Sequence, residues 1–309
     1  VAACMWLTNP MPGSVTLKLN SDGTLGVLTA ATENGSGAIA TGVRQIAAEE
    51  FGLSADKVIV TMPDTDAAAF DAGSQGSRTT HIVGRAVHEA AVQVRARIFE
   101  TAASLLEAAV EDLELADGAV VVVGTPTTRI PLADIAAAAQ AAGGPISGSG
   151  SYTTPMPSVN PTCASGLLFP AFPTPTYHVH VAEVEVDPVT GGIRVLRYLV
   201  AQEAGRAINP QAIRGPIQGG VAQGLGYALW ENLWIDEGRY MQRTFEAYGL
   251  PLATDIPEIE IVLLEHPDPA GPYGAKGVAE PPIIPVAAAI GNAVADAIGI
   301  SINAVPITP

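Results

Sequence analysis

An α+β fold in two mixed α/β lobes is what the sequence predicts, on three observations. Stretches of alternating polarity, the period of a strand, and stretches with apolar residues three and four apart, the period of a helix, both recur along the chain. They follow one another without the regular βαβ rhythm of a parallel α/β protein. A Gly/Ser/Pro-rich connection over 151–175 carries neither period, so a first lobe over 1–150 and a second over 176–309 flank it. The 309 residues are enough for two such lobes, or for one large domain with a substantial core.

In the first lobe, residues 15–19 and 25–30 alternate on either side of Asp22-Gly23, a hairpin signal. Past the Gly35-Ser36-Gly37 break, Ile39, Val43, Ile46, Ala47 and Phe51 trace one helical face that stops at Gly52. Residues 57–62 read as a strand and 73–76 as a loop. A long helix over 85–109 follows, carrying Val87, Val94, Ile98, Ala102 and Leu105, then a short strand at 119–123 and an Ala-rich helix at 132–142. In the second lobe, strands 178–186 and 193–200 enclose the turn Asp187-Pro188-Val189-Thr190-Gly191-Gly192. A glycine-punctuated helix at 217–230 comes next, then a strand at 259–264, a Gly-rich loop at 271–279 and a last helix from about 284 to 298.

Charge narrows the partners. Lys and Arg number 15 against 31 Asp and Glu, a net charge of −16 that repels nucleic acid and anionic lipid. Hydrophobic residues make up 48% and charged ones only 15%, a profile that suits a subunit covered by partners as well as a free monomer. The apolar run 282–290 is too short for a bilayer, so no membrane insertion is expected. Residues 1–12 lack the basic start and apolar run of a secretory signal, and the chain opens on Val1, as a processed product or a piece of a longer polypeptide would. Two cysteines, Cys4 and Cys163, stand far apart and outside metal-ligand spacing, which points to a cytoplasmic home without disulfides.

Three Gly-rich segments each precede a helix. They are Glu33-Asn34-Gly35-Ser36-Gly37, then Asp71-Ala72-Gly73-Ser74-Gln75-Gly76-Ser77-Arg78-Thr79-Thr80, and Gly271-Pro272-Tyr273-Gly274-Ala275-Lys276-Gly277-Val278-Ala279-Glu280-Pro281-Pro282. Glycines let backbone N–H groups approach a ligand, and a helix N-terminus favours an anion. Ser74, Ser77, Thr79 and Thr80 add hydroxyls and Arg78 a forked cation, a set suited to a pyrophosphate-bearing ligand, although each segment taken alone reads more readily as cap and turn. None is a P-loop or a Rossmann fingerprint. Gly220 to Gly226 reads G-x-x-x-G-x-G within a helix, where close packing is the better account. His178 and His180 share a strand face without a third ligand, so no metal site is assigned there. Asp64 and Asp66 read as loop capping.

The third segment, Gly274-Ala275-Lys276-Gly277-Val278-Ala279-Glu280-Pro281-Pro282, resembles the G-A-K-G-x-G-E-P-P signature of the xanthine dehydrogenase and aldehyde oxidase family. The resemblance continues in order through Asp64-Thr65-Asp66, Gly73 to Thr80, Gly205-Arg206-Ala207-Ile208-Asn209-Pro210, Gly219-Gly220-Val221-Ala222-Gln223-Gly224 and Asp255-Ile256-Pro257. It implies the C-terminal, molybdopterin-binding part of a molybdenum-hydroxylase large subunit, with the cofactor as a cytosine dinucleotide and no protein ligand on the metal. It places Gly35, Ser36 and Gly37 beside the molybdenum end. Ser74, Gln75, Gly76, Ser77, Arg78 and Thr79 would lie along the pterin and pyrophosphate, with Gln218, Lys276 and Gly277 as further contacts. Glu280 becomes the base that activates a water-derived hydroxyl for attack on an aldehyde or N-heteroaromatic carbon, in a partly dry pocket that raises its pKa.

This sequence departs from the family pattern at Ser36 (usually Gln), Glu203 (usually Asp), Pro216 (often a cofactor-binding Gln, with Gln218 or Gln223 nearby) and Ala279 (usually Gly). Nothing here matches the family's N-terminal half with its F-R-x-x-G loop. The expected partners are therefore a complementary molybdenum chain, as in split nicotinate-type dehydrogenases, a [2Fe-2S] subunit, an FAD subunit and a small-molecule substrate. A non-catalytic structural or cofactor-binding subunit is the alternative that Ser36, Pro216 and Ala279 keep open.

Overall fold

The computed structural model describes residues 1–61, 63–155 and 174–309. Met62, at the end of the strand expected over 57–62, lies outside the described residues, as do 156–173 within the expected connection. The expected α+β class is found. Two compact units are present, and they trade segments of chain rather than following one another. The first unit comprises Thr8–Thr174 and Pro267–Gly277, and the second Val1–Leu7, Pro175–His266 and Val278–Pro309.

The first unit is built on a sheet of order β4-β3-β2-β8. Strands β2 (Gly13–Leu19) and β3 (Leu25–Thr29) form the expected hairpin, β4 (Val58–Val60) runs parallel to β3, and β8 (Ser147–Tyr152) pairs antiparallel with β2. Wide helical turns over Ala38–Val43 lead into α1 (Arg44–Glu50). Val15, Leu17, Leu25 and Val27 are buried, as are Ile82, Val83, Ala86, Val87 and Ala90 on α2 (Thr79–Leu106). This helix starts six residues before the expected position. Two threonines and Gly84 weaken the local helical signal, and burial of Ile82, Val83 and Ala86 overrides it.

The strand β8 is a correction, because Gly148-Ser149-Gly150-Ser151 reads as the start of a structureless connection. The side-chain-free face of those glycines lets α2 lie directly on the strand. A Cβ on Gly150 would sit 2.5 Å from Ala90 N, and one on Gly148 2.9 Å from Gln93 Cβ. Strands β5 (Leu113–Ala116), β6 (Ala119–Val122) and β7 (Thr125–Pro131) make a second, antiparallel sheet, of which only β6 is expected from the sequence, and α3 (Leu132–Ala142) follows as predicted.

The second unit carries a sheet of order β1-β9-β10-β13. Here β1 (Ala2–Trp6) and β10 (Ile193–Glu203) flank β9 (Thr176–Val186) antiparallel, and β13 (Ile259–Leu264) runs parallel to β10. One sheet face and two helices, α4 (Pro210–Leu229) and α6 (Val286–Ile298), enclose a core that includes Tyr198, Val200, Ile217, Val221, Leu225 and Ile290. The helix α4 begins seven residues before the expected 217, because the Asn209 side chain accepts from Ala212 N and Pro210 takes the first position. A small hairpin, β11 (Ile235–Asp236) and β12 (Arg239–Tyr240), and the one-turn α5 (Phe245–Tyr248) have no counterpart in the sequence reading.

The apolar stretch at the C-terminal end is longer than expected. Pro281–Ile298 holds 18 residues at a mean hydropathy of 1.4. Val286, Ala289, Ile290 and Val294 lie in the core of the second unit, so this segment packs as a core helix.

Candidate cofactor and active site

In the first Gly-rich segment, Gly35 (φ +93) and Gly37 (φ +76) have left-handed backbones open to glycine without strain. Their N–H groups point into the chain itself. One Glu33 carboxylate oxygen accepts from Gly35 N (2.8 Å) and Gly37 N (2.9 Å), the other from Ile39 N (3.0 Å) and Ala40 N (2.9 Å). Burial alone would raise the Glu33 pKa, but these backbone donors outweigh it and hold the group below the usual carboxylate range. Sequence reading did not single out Glu33 as the organiser of this loop. Its signal was an acid placed just before a Gly-Ser-Gly break. Ser36 Oγ accepts from Ala38 N at 3.3 Å. A Cβ on Gly35 would meet nothing within 4 Å, so a face of the loop is free for a bulky group.

The second segment turns into the N-terminus of α2. Ser74 Oγ donates to Thr32 O (3.3 Å) and accepts from Thr79 Oγ1 (3.2 Å), joining this segment to the strand end before the first. Gln75 Nε2 donates to Ala72 O at 3.1 Å, and Asn9 N donates to Gly76 O at 2.9 Å. Ser77 has φ +56, and Gly73 also faces open space. The first turn of the 28-residue α2 holds no acidic residue and no side-chain cap, so the positive end of its dipole is not offset by a side chain of its own first turn.

Arg78 does not present its charge to a ligand, which corrects its expected part. It is fully buried, and its five donors are all used. Nε bonds Met11 O, Nη1 bonds Asp71 Oδ1 and Gly73 O, and Nη2 bonds Pro12 O and Asp71 Oδ2, at 2.7–3.3 Å. Gly13 makes room for the pair, since a Cβ there would lie 2.6 Å from Asp71 Oδ2. Arg78 shapes the loop from below.

The third segment divides between the units after Gly277. Its first part is fastened to α2. His81, fully buried, has Nδ1 on Ala275 O (2.9 Å) and Nε2 on Thr154 Oγ1 (3.1 Å). A carbonyl only accepts, so Nδ1 carries the proton, and burial lowers the pKa of the ring. A Cβ on Gly84 would lie 2.6 Å from Pro272 Cγ, and one on Gly277 2.6 Å from Ser77 O. Gly277 therefore lies on the second loop, its N–H donated to Thr8 Oγ1 at 2.9 Å, with the half-buried Lys276 beside it. Tyr273 donates to Glu50 Oε1 at 2.7 Å from a left-handed backbone (φ +52), and burial followed by that bond raises its pKa. His81 and Thr8 escaped sequence reading because their partners are remote in the chain.

In the second unit, Glu280 is exposed and directly precedes a short turn at Pro281–Ile283. The partly dry pocket expected around it is not formed by the described residues. Its support is firm. Gln202 Nε2, fully buried, donates to Val278 O at 2.7 Å, and a Cβ on Gly220 would sit 2.8 Å from Pro282 Cβ. Gly224 likewise lies on Val286, so the glycines of α4 serve helix packing as expected. Gln218 and Gln223 are exposed on α4, beyond the in-helix Pro216. His178 and His180 are both buried. His180 Nδ1 meets Tyr198 Oη at 2.9 Å and His178 Nε2 meets Thr176 Oγ1 at 2.9 Å. No group of three or more His, Cys, Asp or Glu capable of holding a metal occurs among the described residues. Asp64 Oδ1 accepts from Asp66 N at 2.9 Å, a loop cap.

The first unit thus presents open glycine faces, hydroxyls and an uncapped helix N-terminus. A model of the molybdopterin cofactor-binding domain matches residues 1–257. The chain belongs to this family. This molybdopterin-binding chain is 33% identical, over its whole length, to the putative xanthine dehydrogenase molybdenum-binding subunit of Escherichia coli strain K12, of which it covers 40%. It is 35% identical, over 95% of its length, to subunit gamma of the 6-hydroxypseudooxynicotine dehydrogenase complex of Paenarthrobacter nicotinovorans, covering 36% of that protein. Its fold matches the crystal structure of quinoline 2-oxidoreductase from Pseudomonas putida 86 with a TM-score of 0.84 at 29% identity, across 99% of this chain and 40% of that one. The molybdopterin-binding chain therefore spans about two fifths of the length of these relatives.

Proposed function

We propose that this chain is the molybdopterin-binding, catalytic part of a cytoplasmic molybdenum hydroxylase that hydroxylates an aldehyde or N-heteroaromatic carbon with oxygen from water. The observation that carries the reading is the path of the third segment. Gly277 lies against Ser77 at the second loop, and Glu280 follows three residues later on a braced turn. The substrate class is supported by the xanthine, nicotine-pathway and aldehyde chemistry in the relatives' names. A dinucleotide form of the cofactor is supported by the hydroxyls of Ser74, Ser77 and Thr79 at the N-terminus of α2, a setting that suits a pyrophosphate, and the cytosine base is what the family resemblance adds.

When bound, the molybdenum–pterin group supplies two-electron redox chemistry and the oxygen-transfer centre. The chain's own residues position and deprotonate. Glu33 locks the first loop so that the Gly35 face stays open to the cofactor. Ser36 takes the place next to the metal end. Ser74, Gln75, Gly76, Ser77 and Thr79 line the pterin and phosphates, with Arg78 setting the loop's shape. Gln218 and Lys276 are the further polar contacts. Glu280, through a carboxylate oxygen, takes the proton from the water-derived hydroxyl as it attacks carbon, while Gln202 and Pro282 keep its backbone still. A [2Fe-2S] subunit and an FAD subunit would supply the acceptors for the two electrons, and a complementary molybdenum chain would close the pocket around the exposed Glu280.

The test is Glu280→Gln in the intact complex, with molybdenum and bound nucleotide measured in the same preparation. Turnover should fall by about 10²–10⁴ while the cofactor stays bound. Unchanged turnover would reject Glu280 as the base and favour a purely cofactor-binding chain.

A further inference from the structure

The sheet of the second unit has one face in the core and one in water. On the inner face, Tyr198 and Val200 pack against α4 and α6. The outer face should be polar if water were its permanent neighbour, because antiparallel strands alternate apolar-in and polar-out. Apart from the exposed Glu260, opposite Leu199, and the buried Glu203, opposite Leu264, it is polar at one end. There Arg194 pairs with Glu185, and Arg197 with Glu183 at 3.7 Å, each bridging β9 and β10 in register or beside the bulge.

The other end of that face is apolar across all four strands. Met5 lies opposite Tyr177, Val179 opposite Ala201, and Ala201 opposite Val262, with Val181 next along β9. Exposure of the five larger side chains runs from 39% at Val181 and Val262 to 58% at Tyr177, with Ala201 half-buried between them. Cross-strand neighbours are in mutual contact, so these side chains form one patch, on the order of 500 Å², near the upper end of what monomers expose.

We infer that this apolar end is the surface on which the remainder of the molybdenum subunit docks, through an uncharged aliphatic or aromatic face of its own. Two observations select that occupant. Relatives continue well beyond the 40% of their length that this chain matches, so a larger share of such a subunit lies outside it. A second copy of this chain is opposed by its own charge of −16. The two ion pairs mark where the covered area ends. The inference rests on the reading of the chain as part of a molybdenum subunit.

The test uses the complex as isolated from cells that make this chain. The photo-crosslinking residue p-benzoylphenylalanine is placed at Val181, and as a control at Val189, which is 90% exposed in the turn between β9 and β10. After irradiation, mass spectrometry should find Val181 joined to polypeptide of the molybdenum subunit outside this chain's match, and Val189 not. The variant Val181→Asp should lower recovery of the assembled complex at least tenfold without lowering the amount of this chain. Crosslinks to a second copy, to an iron–sulfur or flavin subunit, or to nothing would overturn the inference. Metal analysis separates it from the functional reading. The expected crosslink without molybdenum leaves the surface standing and the function rejected, and molybdenum without the crosslink does the reverse.

Discussion

Arg78 illustrates how a residue type misleads when its surroundings are unknown. A buried guanidinium with all five donors satisfied and a carboxylate beneath it is a structural pin. Removing one partner of a buried pair leaves the other charged and unpaired, at a cost of about 3–5 kcal/mol. Arg78→Ala should therefore lower the unfolding free energy from denaturant titration by that amount, with cofactor lost as a consequence. Cofactor loss at unchanged stability would instead return Arg78 to the ligand's surface. The glycines of the three loops were legible in sequence because local geometry demands them, and Glu280 through the family signature, whereas Glu33 was not. The partners of His81, Thr8 and Gln202 were not, because each bond joins residues far apart in the chain.

At the scale of elements, strands and helices with a clear apolar period were found where the sequence puts them. The helix α3 and the strand β13 match to the residue. Those lost lacked side chains or length: β8 is Gly/Ser-rich, β11 and β12 have two residues each, and β7 is almost wholly exposed. The glycines of β8 carry a stability prediction. In Gly150→Ala a methyl group would enter the backbone of α2 at Ala86 and Ala90, and overpacking of this kind costs about 1–3 kcal/mol. A urea titration should show the midpoint falling with an unchanged slope, and no shift would mean that α2 yields freely.

The strand β9 adds a pH dependence. Burial, then the neighbouring His180, lowers His178 to about 4, and burial lowers His180 to about 4. The unfolded chain, with both near 6.5, binds more protons between those values, so stability is full above 6.5 and declines as pH falls toward 4. The loss is at most ~3 kcal/mol per histidine. Unfolding midpoints measured from pH 7 to pH 4 should fall, and His178→Gln with His180→Gln should flatten the slope. A parallel slope in the double variant would assign the acid sensitivity elsewhere.

Over the whole molecule, the α+β class was legible but the division of the chain was not. Lobes over 1–150 and 176–309 are what a connection at 151–175 suggests, whereas the chain passes between the units at four points. The reason is physical: β1 pairs with β9, and 267–277 packs on α2, and neither long-range pairing leaves a local mark in the sequence.

That exchange sets a timetable for synthesis. The strand β1 is made well before its one sheet neighbour among the described residues, β9, because the whole continuous stretch of the other unit emerges between them. At ordinary translation speeds the wait is on the order of 10–30 s, during which a short apolar strand stands unpaired. The other unit is completed later still, since its final piece, Pro267–Gly277, arrives only after most of its neighbour's chain. Neither unit has all its segments until most of the other has been made, so β1 spends that interval without the partner its edge requires.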